Sequence, residues 1–370
     1  MSHTGAVDAA GRPPETRPIA VTIATEADRP AWDEYVNCRV TASADSPAGR
    51  FEAFGSHAWA WRDVFARSFG HRSVYLVARR SSEAALVGVL PLTEIRSWLF
   101  GRSLTSQPFL NYGGVLAESP AVARTLVEAA ARVARDRRCR HVELRHVSRQ
   151  FEDLPSKAHK VTMVRRLEPG LWDKLDRKVR NQVRKAQKSD LSTVRGGTEL
   201  LDDFYRVFAR NMRDLGTPVY AREFFKQVLA AFPARAQVVV VRLGPTPVAA
   251  GVTYRTGGTI EVPWASSVRD FNALCPNHLL YWSILESALA DGVRWLDFGR
   301  STPHEGTYKF KEQWGAQPVP LHWEYAGLEG NAVPDQTPKN PKFRLAVSAW
   351  RQLPLWLANR VGPAVVRHVP

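Results

Sequence analysis

The stretch from Asp297 to Gly315 reads Asp-Phe-Gly-Arg-Ser-Thr-Pro-His-Glu-Gly-Thr-Tyr-Lys-Phe-Lys-Glu-Gln-Trp-Gly, and it follows an apolar, strand-like run over residues 293–296. It concentrates acidic, basic and aromatic side chains in a glycine-punctuated segment that we predict to be a loop. Polar groups at the end of a buried strand are costly unless they are hydrogen-bonded or serve a site. The segment therefore predicts a functional site at this strand end.

The composition predicts a folded protein with anionic partners. The chain has 370 residues, 44% of them hydrophobic, which is enough for two domains of ordinary size. Its formal net charge of +15 favours binding to anions, although a generic basic surface would also account for it. Three scattered cysteines, Cys38, Cys139 and Cys275, fit neither a disulfide framework nor a metal site, so we expect a reducing cytoplasm and no bound metal. No apolar run is long enough to predict a membrane span.

The order of predicted elements divides the chain into four parts. Residues 1–20 lack the apolar core of a secretory signal and are predicted to be a disordered leader. Helices and strands alternate over 21–155 and again over 156–328, and residues 329–370 form a basic tail. Each half has helices, an antiparallel meander, a helix and then a strand. This order predicts an α/β (α+β) fold with an internal structural repeat.

A basic helix is predicted from Leu171 to Ser189. Its apolar residues recur at helical spacing, at Leu175, Val179, Val183 and Ala186. Arg177, Arg180 and Arg184 then share one face, because steps of three and four residues align side chains on a helix. That face is either a phosphate-binding surface or an ordinary solvated face.

The strands that precede the Asp297 segment are predicted at 237–243, 248–256 and 259–264, with Gly257-Gly258 as a hairpin turn. Pro263 lies late in the last of these strands, where it removes a ladder hydrogen bond. Either it splays this strand from the neighbouring strand of Asp297 and leaves a gap lined by Trp264, or it simply ends an edge strand. In acyltransferases such a gap receives the acyl donor.

Two further segments are candidates for binding, each with a structural alternative. Asn277 is predicted to cap the helix 277–291, whose first free amides suit an anionic group. We interpret His278, next to it, as a packed histidine. Tyr220 follows a helix that Gly216 ends, and it either lines a substrate site or serves the turn.

The tail from Lys339 to Pro370 has no acidic residue and mixes arginine with tryptophan and leucine. Such a segment suits a membrane interface, or it packs as a C-terminal helix across the two domains.

Several of these stretches together resemble the FemAB-like branch of the GNAT acyltransferase superfamily, in particular FemAB-like proteins associated with exosortase and PEP-CTERM systems of Gram-negative bacteria. The matching stretches are 180–186, 215–218, 277–282, 297–301 and 308–315, with 108–114 as the best piece of the first half. The resemblance implies two tandem GNAT-like domains, with mixed sheets flanked by helices. It also implies transfer of an acyl or aminoacyl group to an amine.

The resemblance places Lys311 at the reaction centre, because this lysine matches the family's Phe-Lys-x-x-aromatic-Gly motif. With it we expect Asp297 and Glu305 as catalytic residues that accept a proton. The expected substrate-binding residues are Arg300, Tyr308, Lys309, Trp264, Asn277, Arg180, Arg184, Tyr220, Asn111 and Tyr112.

The expected partners are an anionic acyl donor and an amine acceptor related to the cell envelope or to exopolysaccharide. The resemblance implies no tightly bound cofactor, with acyl-CoA or aminoacyl-tRNA as co-substrate. The long paired heptads with which classical Fem proteins bind tRNA are missing from this sequence. We expect a cytoplasmic protein, peripheral at the inner membrane if residues 339–370 bind there, and no DNA binding. The alternative is a non-catalytic GNAT scaffold that binds an anionic glycan precursor or assists protein sorting.

Overall fold

The computed structural model of the protein describes residues 18–45, 55–80, 85–97, 101–328 and 341–369. The predicted leader up to residue 17, the loop residues 46–54, the turn residues 81–84 and the tail residues 329–340 lie outside these ranges.

The described residues contain a mixed sheet and flanking helices, as the sequence predicts. The strands are β1 (Ile19–Ile23), β2 (Arg72–Arg80), β3 (Leu86–Ser97), β4 (Gly101–Ser106), β5 (Leu116–Ala117), β6 (Val142–His146), β7 (Ser156–Arg166), β8 (Leu191–Gly196), β9 (Ala236–Leu243), β10 (Thr246–Thr256), β11 (Thr259–Ser267), β12 (Trp295–Ser301) and β13 (Gln317–Ala326). The helices are α1 (Arg29–Asp45), α2 (Trp61–Phe69), α3 (Pro120–Asp136), α4 (Leu171–Lys174), α5 (Arg177–Lys188), α6 (Leu201–Leu215), α7 (Arg222–Ala231), α8 (Pro276–Ala290), α9 (Gly306–Gln313), α10 (Pro341–Arg351) and α11 (Leu355–Val366).

All these strands belong to one sheet, in the order β1-β2-β3-β4-β6-β13-β7-β12-β11-β10-β9-β8, with β5 beside β3. The meander β2-β3-β4 is followed by α3 and by β6, which pairs parallel to β4. The meander β9-β10-β11 is followed by α8 and by β12, which pairs parallel to β11. The two halves thus repeat one topology, as the order of the predicted elements indicated.

The sheet is continuous across the two halves because β13 lies between β6 and β7. The boundary between residues 155 and 156 stays a prediction, and it falls where β7 begins. The helices also join the halves. Trp61 and Phe69 of α2 pack against Phe232 and Phe224, with ring centroids 4.8 and 5.2 Å apart.

The structure corrects several predicted bounds. The basic helix is broken, because Leu175 is extended and the side chain of Asp176 caps α5 through a 2.6 Å bond from the amide of Lys178. The apolar stripe predicted for this helix is buried. Strand β8 was missed because its side chains do not alternate clearly between polar and apolar. Strand β1 begins at Ile19, inside the predicted leader.

Candidate active site

The central feature of the site is the point where β11 and β12 separate. Their parallel pairing covers Thr259–Glu261 against Trp295–Asp297 and goes no further. Directly beyond it β11 carries a bulge against β10 at Val262 and Pro263, because the register shifts between Val252 and Tyr254. Proline cannot donate a ladder hydrogen bond, and a bulge bends its strand. The predicted splaying at Pro263 is therefore present.

A cleft of about 760 Å³ opens at this separation. Its walls come from β11, β12, α5, α6, α8 and α9, together with Asn111 from the first half. Helix α8 points its N-terminal end at the cleft, since Asn277 and His278 line it. The prediction that Asn277 caps this helix is wrong: Cys275 holds the N-cap position in a left-handed conformation (φ 58°), and Pro276 is the first helical residue. Proline is favoured there because its missing N–H would have no helical partner.

Lys311 lies on the inner wall of the cleft. The segment predicted as a loop contains α9, and the three-residue step from Tyr308 to Lys311 places both side chains on its buried side. The Lys311 ammonium donates to the carbonyl oxygens of Gly299 at 2.8 Å and Arg300 at 3.1 Å, both at the end of β12. Burial lowers the pKa of Lys311 to about 8, although the carboxylate of Asp297 opposes this shift.

Asp297 lies behind the cleft with both carboxylate oxygens occupied. Its Oδ1 accepts from Thr162 Oγ1 at 2.5 Å and from the amide of Gly299 at 2.8 Å, and its Oδ2 accepts from the Tyr112 hydroxyl. The side chain is fully buried, and burial raises its pKa despite these three donors. Asp297 therefore organises the interior of the site and does not line the cleft.

Glu261 is a member of this cluster that sequence reasoning missed. It faces Asp297 across the β11–β12 pair, and its Oε1 accepts from Asn111 Nδ2 at 2.8 Å. Burial, followed by the charge of Asp297, raises the pKa of Glu261 to about 8. Two neighbouring carboxyls, Asp297 fully buried and Glu261 partly buried, resist double ionisation, so the pair retains a proton near neutral pH. The available signal was a lone acid between Ile260 and Val262, two residues before Pro263.

Arg300 lines the cleft, and its guanidinium lies 5.5 Å from the ring centroid of Trp323. The same ring lies 4.3 Å from the guanidinium of the buried Arg145. Glu305 precedes α9 on the exposed rim, and Lys309 is exposed on that helix. His278 packs against Phe310 as predicted, and burial lowers the pKa of this histidine to about 4.

The structure does not bring every predicted residue to the cleft. Trp264 packs against Phe224 and Phe225 in the core. Tyr220 belongs to the same aromatic cluster, and its ring lies 6.0 Å from that of Phe109.

The arginines predicted on α5 also lie away from the cleft. Arg184 lies over Trp172 at 5.5 Å, and neither it nor Arg180 lines the cavity. From this helix the cleft takes Lys178 and Gln182 instead, which are one turn apart. Which residues of α5 line the cleft depends on how this helix is rotated where it packs against α8, and no sequence pattern predicts that rotation.

Comparison with known proteins agrees with this geometry. Residues 173–312 match the acetyltransferase (GNAT) domain family, a range that includes β11, α8, β12 and Lys311. No curated protein sequence matches the chain.

Among solved structures, FemX superposes with a TM-score of 0.60 at 13% identity, over 82% of this chain and 96% of that one. A tandem GNAT protein from the clavulanic acid biosynthesis pathway gives 0.52 at 11% identity, over 86% and 100%. The C-terminal domain of a putative lysylphosphatidylglycerol synthetase from Agrobacterium fabrum gives 0.51 at 11% identity, over 78% and 92%.

At these identities the structural matches establish the fold alone. The chain has the predicted fold of two tandem GNAT-like domains, and residues 173–312 of its second half are similar to the acetyltransferase (GNAT) domain family. The match over residues 173–312 supports acyl transfer in general as the type of reaction.

Proposed function

We propose that this protein transfers an acyl or aminoacyl group to the amine of a cell-envelope or exopolysaccharide-related acceptor. The observation that carries the proposal is the buried ammonium of Lys311 in a cleft between two diverging strands, inside the region that matches the GNAT domain. The envelope setting, with its exosortase and PEP-CTERM association, rests on the sequence resemblance.

The proposed reaction is direct attack without a covalent enzyme intermediate. The acceptor nitrogen forms a bond to the donor carbonyl carbon, and the carbon–sulfur or carbon–oxygen bond to the donor breaks. The proton lost by the amine passes through water to the ionised form of Glu261, which is populated as the pH approaches its pKa of about 8 and which accepts a hydrogen bond from Asn111, a lining residue of the cleft. Glu261 takes this role in place of Asp297, whose oxygens already accept three hydrogen bonds. Glu305 on the rim remains the alternative base.

Lys311 is proposed to stabilise the charge that leaves with the donor. Two of its three protons point to the carbonyls of β12, so one remains for the cleft. A preorganised donor of this kind is worth about 3 kcal/mol in the transition state. Lys311 then protonates the leaving thiolate or alkoxide and regains a proton from Glu261. The charge of Lys311 lowers the pKa of Glu261, and the charge of Glu261 raises the pKa of Lys311, as expected for neighbouring groups of opposite charge.

The donor is proposed to be anionic and to leave after each turnover. Lys178 and the N-terminal end of α8 give the cleft a positive wall, which suits a phosphate-bearing donor. An acyl-CoA is the first candidate because of the GNAT match, and aminoacyl-tRNA is the second. Arg300, stacked on Trp323, is placed to hold an anionic part of the acceptor.

The test is thermal stabilisation of the whole protein by acetyl-CoA, longer acyl-CoAs, aminoacyl-tRNA and uncharged tRNA at fixed salt, because a ligand of the native state raises its stability. Lys311→Ala should keep the donor shift and lose turnover by roughly 100-fold or more. The control is Lys226→Ala, an exposed lysine of α7 that pairs with Glu223 at 3.8 Å. If no donor stabilises the protein, the transferase proposal is wrong.

The alternative of a non-catalytic scaffold has one observation in its favour. The contacts of Lys311 with the Gly299 and Arg300 carbonyls are also those of a structural residue that fixes the end of β12. A scaffold would bind an anionic glycan precursor without turnover, and Lys311→Ala would then change affinity alone.

A further inference from the structure

The C-terminal helices α10 and α11 have one face packed on the protein. Ala358 and Gly362, one turn apart on α11, are buried, and a side chain at Gly362 would lie 2.9 Å from the backbone nitrogen of Val219. Beyond the helix, the Arg367 guanidinium donates to the carbonyl of Phe69, and His368 Nδ1 donates to the carbonyl of Arg96 at 2.7 Å. The tail is therefore fixed to both halves of the molecule, in agreement with the packed-helix alternative.

The outer face of the same helices is apolar and exposed. Leu345 is 83% exposed and Trp356 is 68% exposed, and Val361, Val365 and Val369 are also exposed. Of the large hydrophobic side chains that are exposed in the described residues, five of seven lie in this short segment. Their concentration in one short segment is unusual, because exposed apolar residues are normally scattered singly over a protein surface.

The charged residues in this part of the sequence have one sign. Residues 339–370 contain no aspartate or glutamate and six cationic residues: Lys339, Lys342, Arg344, Arg351, Arg360 and Arg367. Arg360 is exposed on α11 and lies between Trp356 and Val361 around the helix, about 40° from Trp356 and about 100° from Val361. Tryptophan beside arginine is typical of an element that lies in the headgroup region of a bilayer. Across the described segments, no helix is both long and apolar enough to span a membrane.

We propose that the outer face of α10 and α11 docks in the plane of an anionic phospholipid surface. Leu345 and Trp356 enter the boundary between headgroups and acyl chains, and Arg360 pairs with lipid phosphates. The charge favours a lipid over a protein groove, since exposed apolar residues beside Arg360, in a segment without acidic residues, match a continuous anionic surface, whereas a protein interface mixes both signs. This inference concerns attachment and stands independently of the proposed transferase activity.

The test is co-sedimentation of the full chain with phosphatidylcholine vesicles and with vesicles that also contain phosphatidylglycerol, at two salt concentrations. We expect binding only to the anionic vesicles, weakened by salt. The double variant Leu345→Ser, Trp356→Ser should bind at least about tenfold more weakly. Arg360→Gln should weaken binding about fivefold, which corresponds to about 1 kcal/mol for one charge near an anionic surface.

The matched control is Ile23→Ser, because Ile23 is 48% exposed on β1, outside this face. Every variant is first compared with the wild type by thermal unfolding, so that loss of fold is recognised, and Arg360→Gln changes only an exposed side chain. Equal binding to neutral and anionic vesicles, or full binding by the double variant, would overturn the proposal. Sedimentation velocity gives a further check. The proposal would also be overturned if the wild type binds no vesicles and forms a dimer that the double variant dissociates, because the face would then contact a second copy of the chain.

Discussion

Replacing Glu261 by glutamine should change how the stability of this protein depends on pH. Glutamine keeps an oxygen that can accept the hydrogen bond from Asn111, but it removes the carboxyl whose pKa is raised from 4.5 to about 8. A group with a raised pKa in the native state contributes stability that is complete below its unfolded pKa. This contribution is lost as the pH rises through about 8, and the Glu261→Gln variant has no such loss.

The size of the effect follows from the pKa of Glu261. One pKa unit corresponds to about 1.4 kcal/mol, so the rise to about 8 limits the loss to about 4 kcal/mol between about pH 5 and about pH 9. Asp297 shares the proton and its pKa falls when Glu261 is removed, so the measured change will be smaller than this limit. A relative gain of about 2 kcal/mol for Glu261→Gln over this range is the expected outcome.

The measurement is urea unfolding of the wild type and the variant across this pH range, with the slopes compared so that a change in cooperativity is recognised. Glu312→Gln is the control, because Glu312 is an exposed glutamate of the neighbouring α9. A constant difference between Glu261→Gln and the wild type at every pH would refute the argument. If Glu261→Gln becomes less stable than the wild type as the pH rises, the predicted pH dependence has the wrong sign.

Three further predictions concern other parts of the structure. If transfer requires ionised Glu261 and charged Lys311, each with a pKa of about 8, its rate should fall on both sides of about pH 8, and the residual rate of Lys311→Ala should lack the alkaline fall; initial rates against pH show this. Gly299→Ala should destabilise the fold by roughly 2 kcal/mol in urea unfolding, because Gly299 has φ 78° and an added side chain would lie 3.0 Å from the Val262 carbonyl. The control Gly244→Ala, with φ 54° and no neighbour within 4 Å, should cost less. Gly362→Leu should lift α11 from Val219 and expose the tail to limited proteolysis, whereas Ala364→Leu at an exposed position should not.

Much of the local structure follows from sequence patterns. The glycine pair at 257–258 predicts the hairpin between β10 and β11, and Pro263 predicts where β11 leaves its neighbour. The stripe from Val179 to Ala186 predicts the buried face of α5. Each of these patterns acts within a few residues, through backbone conformation or side-chain spacing, and so it survives in any tertiary setting.

Predictions failed where two local signals competed. Asn277 is a good capping residue, yet Cys275 and Pro276 begin α8 two residues earlier. The many glycines and charges after Asp297 suggested a loop, yet α9 forms there because it buries Tyr308 and lets the Lys311 ammonium donate to the carbonyls at the end of β12. Tertiary burial outweighs such weak propensities in a helix this short.

The repeated order of elements follows from the sequence, as do the apolar faces, the strand break at Pro263 and the cationic tail, because these depend on near neighbours in the chain. Which polar groups meet depends instead on how the chain folds back on itself. Asn111 reaches Glu261 across 150 residues and Tyr112 reaches Asp297 across 185, while Lys178 lines the cleft and Arg184 does not. The pKa values of Glu261 and Lys311 arise from this assembly, since desolvation and the charges of distant partners exist only once the sheet has closed around them.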